Sequence, residues 1–508
     1  MKRVLCSVLL FALLLSASSL LACSEKTGDG GDETTVTASP TASGDGTGGE
    51  ADGGADSGAR AYEYYEGHDF GGRDFHFINA PRLYWDMFTS VTADEMNGEV
   101  INDAVFERNA LIAQKLNCSL SEEGYAIASG EYWDELSPLM MAGDAKYDAL
   151  CLPYRYTATS VTAGYLLNLD TLSNLHLDGG WWNRTILDAT SLNHRHYIAS
   201  SAAHFMSVDG MWCLYFNQSL MKNLQLELPY DTVREGRWTL DRLAEYMKAG
   251  ANLNGDAAFA PPYDGRAQWS SSGASVYGFT SYTSVFQKLL YGMEAHMIDK
   301  DDEDKMVFAA SDERFIDCAV KLAEIFSVPG QYLDANDDDG FSYNLNIFPS
   351  GRALFLGGEL KDAQVFREME DEFGVVPLPK YDESQDKYFT TLDFQMMTFA
   401  IPYTQAAPED AALLLDAMSF ETNEKILDKF LGNRIEQKGL RNEDSIEMLH
   451  IVYDGLGIDL GEAFDLFGTL STDIKNNIPQ GMTEFASLIE RNKKPIVKQM
   501  NKLQEKFE

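Results

Sequence analysis

The sequence predicts an α/β protein of two lobes, each built on a largely parallel sheet, behind a secretory leader and a polar tether. Three observations carry this. Strand-like and helix-like stretches alternate from residue 74 onward. Hydrophobic residues make up 45% of the chain and aromatic residues 12%, ample for packed cores. The roughly 450 residues after the tether exceed what one core usually supports.

The leader comes first. Lys2 and Arg3 precede an almost wholly apolar run, Val4 to Leu15. That run is shorter than the roughly 20 residues a spanning helix needs, so it reads as an export signal over 1–22. Leu20-Leu21-Ala22-Cys23 resembles the bacterial lipobox, in which the signal is cut before the Cys and its thiol receives lipid. Ser24 to Arg60 is mostly Gly, Ser, Thr, Ala, Asp and Glu, with one Val and no aromatic residue. Such a stretch cannot bury enough apolar surface to offset its ordering entropy. Residues 23–60 are therefore expected to form a lipid-anchored, disordered linker with a root-mean-square span of roughly 30–35 Å. No second stretch is long and apolar enough to cross a membrane.

The formal charge is −39, which repels nucleic acid and excludes it as a partner. Export permits disulfides, and Cys118, Cys151, Cys213 and Cys318 allow several pairings. All four sit in apolar contexts without short spacing, which fits buried free thiols equally well.

Asp74 to Asn79 reads as a strand opened by Gly71-Gly72 and closed by Ala80-Pro81. Asn102 or Asp103 is expected to cap a helix with a core stripe of Val105, Ile112 and Leu116. A short strand follows at Cys118 to Leu120. A helix from about Glu131 to Met141 carries Trp133, Leu136 and Met140, with Pro138 expected to kink or shorten it. Tyr147 to Leu152 is a buried strand stopped by Pro153. This alternation implies right-handed crossovers and a parallel sheet.

The second region repeats the logic. Met211 to Phe216 is strand-like, and Asn217 starts a helix. Thr239 is a good N-cap for a helix with Leu240, Leu243 and Met247 inward, Trp238 stapling from outside and Gly250 at its end. Phe315, Leu322 and Phe326 make another stripe, opened by Ser311-Asp312-Glu313. Ala353 to Leu356 is a buried strand ending in Gly357-Gly358, and Phe373 to Pro379 is extended. Ile496, Met500, Leu503 and Phe507 close the chain at helical spacing.

These segments, in order, resemble family-one extracellular solute-binding proteins, the sugar-binding branch of the type II periplasmic-binding-protein fold. The stretches that carry the likeness are Ala104-Val105-Phe106-Glu107-Arg108-Asn109, Met141-Ala142-Gly143-Asp144 with Tyr147-Asp148, and Gly164-Tyr165-Leu166-Leu167-Asn168-Leu169. Tyr215-Phe216-Asn217 then precedes Gly236-Arg237-Trp238-Thr239-Leu240-Asp241. Ala353-Leu354-Phe355, Phe373 to Lys380, and Ala400-Ile401-Pro402 with Pro408-Glu409-Asp410-Ala411-Ala412 follow. The resemblance implies two discontinuous lobes joined by hinge strands, 61–207 with 392–440 and 208–391 with 441–508. It implies crossings near Ser207 and Thr391, closure on a small solute, most simply a sugar, and ABC permease subunits as partners. It further implies a monomer on the extracellular face of a bacterial membrane, with no cofactor and no enzymatic activity.

In open parallel sheets, ligands sit beyond the carboxyl ends of the strands. That rule selects Asn79 with Tyr84-Trp85, and Tyr154-Arg155, in the first lobe, and Gly358-Glu359 in the second. A sugar needs aromatic faces for its C–H surfaces and fixed polar groups for its hydroxyls. Trp85 and Tyr154 are expected in loops. Trp182, from the Trp181-Trp182 pair, is a further candidate. Asp209 and Trp212 flank the first crossing, and Asp393-Phe394 the second. No metal is expected: His194-Arg195-His196 reads as a polar hairpin, and Asp334 to Gly340 fails the EF-hand pattern at its sixth and twelfth positions. The readings from other classes are an anchored glycan hydrolase and a peptide-binding module. No Gly-x-Ser-x-Gly, His-Glu-x-x-His or phosphate loop is present.

Overall fold

The structure, a computed structural model, describes residues 65–79, 90–125, 130–204, 209–256, 273–334, 346–392, 396–427 and 443–507. All lie in one compact unit, Gly53–Glu508. The lipobox, the tether, Tyr84, Trp85, Asp393 and Phe394 lie outside the described residues.

The first sheet comes from the start of the chain. β1 (Arg73–Asn79), α1 (Val100–Leu116), β2 (Cys118–Gly124), α2 (Glu131–Ala142), β3 (Ala149–Pro153) and α3 (Tyr154–Ala163) follow one another, with α4 (Arg184–Thr190) further on. The second sheet begins at β4 (Trp212–Asn217). After it come α5 (Gln218–Asn223), α6 (Tyr230–Arg234), α7 (Leu240–Gly250), β5 (Tyr277–Ser281) and α8 (Val285–Gly292). A hairpin of β6 (Ile298–Lys300) and β7 (Met306–Phe308) precedes α9 (Glu313–Phe326), β8 (Tyr332–Asp334), β9 (Ala353–Glu359) and β10 (Phe373–Val376). β11 (Thr390–Thr391) and β12 (Met397–Ala400) lead to α10 (Pro408–Lys425). α11 (Glu443–Asp454), β13 (Leu456–Gly457), α12 (Leu460–Ala463), α13 (Leu470–Asn477) and α14 (Phe485–Gln504) end the chain.

The first sheet has the order β12-β3-β1-β2 and the second β10-β4-β9-β5-β8. In the first, β1 runs parallel to β2 and β3, and only β12 is antiparallel. In the second, β5 is parallel to β8 and β9, while β4 runs antiparallel between β9 and β10. Every residue of β3 and β4 is buried, as expected where helices cover both faces of a sheet. α11 packs on β10 of the second sheet, α14 on β7 and α9, and α12 on α3 and α4. No helix among the described residues is long and apolar enough to cross a membrane.

Three local expectations are corrected. α1 starts at Val100 with Glu99 before it, ahead of Asn102 and Asp103. Asp103 sits in the first turn and accepts the N–H of Asn97 at 2.8 Å, so its carboxylate holds the approach instead of capping the helix. Pro138 does not shorten α2, which runs on to Ala142. It is exposed, so the carbonyl that it leaves without a helical partner can turn to water. β9 runs through both glycines to Glu359. A Cβ on Gly358 would meet Asp362 Oδ2 at 2.5 Å, and that carboxylate accepts the Glu359 N–H at 2.9 Å. The glycine makes room for the cap.

The four cysteines among the described residues are free, three of them buried.

Candidate functional site

The parallel strands of each sheet present their carboxyl ends along one edge. On the first sheet this edge holds Asn79, Gly124-Tyr125 and Pro153-Tyr154, with Met397, the start of antiparallel β12, opposite Pro153. On the second it holds Ser281, Asp334 and Glu359, with Trp212, the start of antiparallel β4, opposite Glu359. Chain geometry ties the edges together. Met211 bridges Leu392 at the second edge, and Met397 already stands at the first. Six peptide units separate Thr391 from Met397, so the two ends lie within about 20 Å of each other at ~3.3–3.6 Å per residue.

At the first edge Asn79 is buried, and its Nδ2 donates to Glu122 Oε2 at 3.0 Å. Glu122 also accepts the Val91 N–H at 2.8 Å. Behind it lies Arg108, 2% exposed, donating to the carbonyls of Ala203 at 2.8 Å and Val91 at 2.9 Å. Burial pulls the guanidinium down to about 10, against Cys151 and Glu122, which raise it. The motif around Arg108 thus fixes two stretches: the chain entering the first crossing, and the chain after residue 89. Tyr154 does not stand in a loop. It is the first residue of α3 and fully buried, because Pro153, at φ −53°, both ends β3 and leads into the helix. Arg155 points outward and pairs with Asp465 at 2.7 Å, joining α3 to the segment after α12. Both side chains are well exposed, so the pair is worth about 0–1 kcal/mol.

At the second edge Trp212 is 2% exposed and pairs with Glu359, whose carboxylate meets Lys361. Gly358 is paired with Cys213. The antiparallel bridge from Met211 to Leu392 places Thr391 beside Trp212 on the other side, and the Thr390 hydroxyl donates to the Trp212 carbonyl. Asp209 is buried just before this strand. Lys288, on α8, reaches the same place from below. Its Nζ donates to Leu392 O at 2.9 Å and to Glu462 Oε1 at 2.7 Å, and the residue is 2% exposed. It therefore links α8, the second crossing and α12.

Trp182 comes level with the first edge through a bridge to Ser201, but its indole is committed elsewhere. Its Nε1 and that of Trp181 each donate to Asp416 at 3.0 Å, and both rings are buried. Of the expected residues, then, Asn79 and Tyr154 share one edge, and Trp212, Gly358 and Glu359 share the other. Asp209 stands at the crossing, Arg155 lies outside the strands' ends, and Trp182 turns into the core. Sequence reasoning missed Lys288, Asp465 and the role of Thr391. Lys288 carried one signal, a single cation inside the apolar stretch Val285 to Tyr291.

Among the described residues no group of three or more His, Cys, Asp or Glu side chains is arranged to hold a metal. His196 instead pairs with Asp170 at 2.7 Å, and Leu192 bridges Arg195 across the intervening turn.

No protein-family model matches the chain, and no curated protein sequence matches it. Solved structures do. The ABC substrate-binding protein Lmo0181 from Listeria monocytogenes, in complex with cycloalternan, has a TM-score of 0.54 at 14% identity, over 85% of this chain and 99% of its own. The maltose-binding protein MalE from Listeria monocytogenes, in complex with maltose, gives 0.54 at 12% identity, over 84% and 98%. UgpB from Mycobacterium tuberculosis, in complex with glycerophosphocholine, gives 0.51 at 14% identity, over 86% and 99%. The chain has the periplasmic-binding-protein fold.

Proposed function

We propose that this chain is a family-one solute-binding lipoprotein that captures a small carbohydrate between two lobes and hands it to an ABC importer. The observation that carries the reading is the pair of carboxyl edges joined by two short crossings, with Asn79 and Tyr154 on one side and Trp212 and Glu359 on the other. Two sheets joined through such strands can rotate toward each other about the crossings, and a solute touching both edges favours the closed arrangement. On this reading the lobes are 61–207 with 392–440, and 208–391 with 441–508. The bound cycloalternan and maltose of the Listeria structures favour a sugar for this chain as well. The reading is of capture without chemistry, so a bound solute should be recovered unaltered.

A thermal-shift panel of maltose, raffinose, cycloalternan and glycerophosphocholine tests it. A ligand present at about 100 times its Kd stabilises the folded state by about 2.7 kcal/mol and raises the melting temperature. At least one member of the panel should do so. No shift from any of the four, or hydrolysis of a sugar during incubation, counts against the proposal.

The anchor belongs to the same reading. Leu20-Leu21-Ala22-Cys23 and the polar tether support a mature chain held by lipid on Cys23, outside the cell membrane. Cys23→Ala should release the protein to the medium or stall its processing. A variant still correctly cleaved and membrane-bound sinks the lipobox assignment.

A further inference from the structure

We infer that the Trp212 indole N–H and the Thr391 hydroxyl form a fixed polar pair at the hinge, built to take one hydroxyl of a neutral polyhydroxylated solute. The inference rests on the solute-capture reading and names the ligand chemistry of that site.

Trp212 is 2% exposed and Thr391 1% exposed. Trp212 Nε1 and Thr391 Oγ1 are both buried, and neither has a hydrogen-bond partner among the described residues. Buried polar atoms are almost always paired, so two such atoms on neighbouring residues call for an explanation. The ladder makes them neighbours. Met211 bridges Leu392 antiparallel, which sets Thr391 opposite Trp212, and Trp212 is in turn opposite Glu359. Residues opposite each other in a ladder share a face, so Thr391, Trp212 and Glu359 form one row across the crossing. Neither atom is open to solvent here, so a ligand meets them through movement at the crossings, which is where the row lies.

The chemistry of the pair selects the ligand. An indole N–H only donates, whereas a threonine hydroxyl both donates and accepts. Together they match an alcohol group, which accepts from Trp212 and donates to Thr391. An anionic oxygen can accept from both but has no proton to give, so it leaves the threonine's acceptor lone pairs unused. The acids beside the row are already countered, Glu359 by Lys361 and the crossing by Lys288 on Leu392 O, so no uncompensated positive charge calls for an anion. The indole then acts chiefly as a directional donor and not as a stacking face.

The test uses Thr391→Val, which keeps the shape and removes the hydroxyl, and Trp212→Phe, which keeps an aromatic ring and removes the N–H. Wild type and both variants are titrated with maltose, raffinose, cycloalternan and glycerophosphocholine, and melted without ligand. A buried hydroxyl without a partner weakens the free protein, so Thr391→Val should melt about 1–3 °C higher than wild type. The same variant should bind a neutral sugar about 2- to 10-fold more weakly, through loss of one neutral hydrogen bond. Trp212→Phe should weaken the same sugar by a similar factor. A lower melting temperature for Thr391→Val overturns the pair whatever the titrations give, because the hydroxyl then has a protein partner. Unchanged sugar affinity in both variants also overturns it, while leaving solute capture intact. Wild-type binding of glycerophosphocholine but of no sugar overturns the neutral-hydroxyl assignment. Wild type that binds none of the four overturns the capture reading, and the pair with it.

Discussion

Asp416→Ala is expected to destabilise the protein by about 3–5 kcal/mol, seen as a lower urea midpoint, because one carboxylate organises several buried donors. Its side chain is 3% exposed. Oδ1 accepts both indole N–H groups, from Trp181 and Trp182, and the His176 N–H at 3.1 Å. Oδ2 faces His176 Nδ1 at 2.9 Å. That hydrogen bond holds the His176 pKa above the usual histidine value, against the opposing pull of burial. Removing the carboxylate leaves two indole donors in the core without an acceptor, each costing about 1–3 kcal/mol. Asp416→Asn keeps one acceptor oxygen and should recover part of the loss. A fall below about 1 kcal/mol for the Ala variant would mean that Trp182 is free to turn toward the edge after all.

Arg108→Met should cost a similar amount, about 3–5 kcal/mol, and should also weaken solute binding in the fraction that stays folded. The guanidinium donates to Ala203 O, Val91 O, Asn109 Oδ1 at 2.9 Å and Thr422 Oγ1 at 3.3 Å. Without it, the Ala203 carbonyl loses its donor, the Val91 carbonyl keeps only Asn109 Nδ2 at 2.9 Å, and Glu122 loses the cation behind it. Glu122 holds Asn79, so the disturbance reaches the first edge directly. Arg108→Lys retains the charge but not the fork of donors and should fall between wild type and Met. Urea unfolding and sugar titration on the same samples check both effects. Stability within 1 kcal/mol of wild type, with unchanged affinity, would remove Arg108 from the account.

The sheets were legible because their strands are continuous apolar runs with local punctuation. Met211 to Phe216 is unbroken, and Asn217 caps the next helix, accepting the Leu220 N–H at 2.7 Å. Thr239 likewise accepts the Arg242 N–H at 3.3 Å. The carboxyl-end rule selected Asn79, Tyr154 and Glu359, which do stand at or just past strand ends, since strand ends are readable wherever the strands are. Trp212 came from its place beside the first crossing. Partners distant in sequence were not legible. Nothing near Trp182 announces an acceptor 234 positions away in the apolar stretch around Asp416. Pro153 was ambiguous in kind, because a proline stops a strand and opens a helix equally well. Lys288 and Asp465 act across the crossings, and such pairings depend on the assembled fold, which composition and periodicity do not encode.

The central claim is that two bodies close on a small solute about the crossings at Met211 and Thr391. Small-angle scattering on the mature protein, alone and with a saturating amount of whichever panel sugar raises its melting temperature, tests it most directly. The account predicts a smaller radius of gyration with sugar bound, because closure brings the two edges together. An unchanged radius at saturation, with binding verified in the same sample, would contradict it.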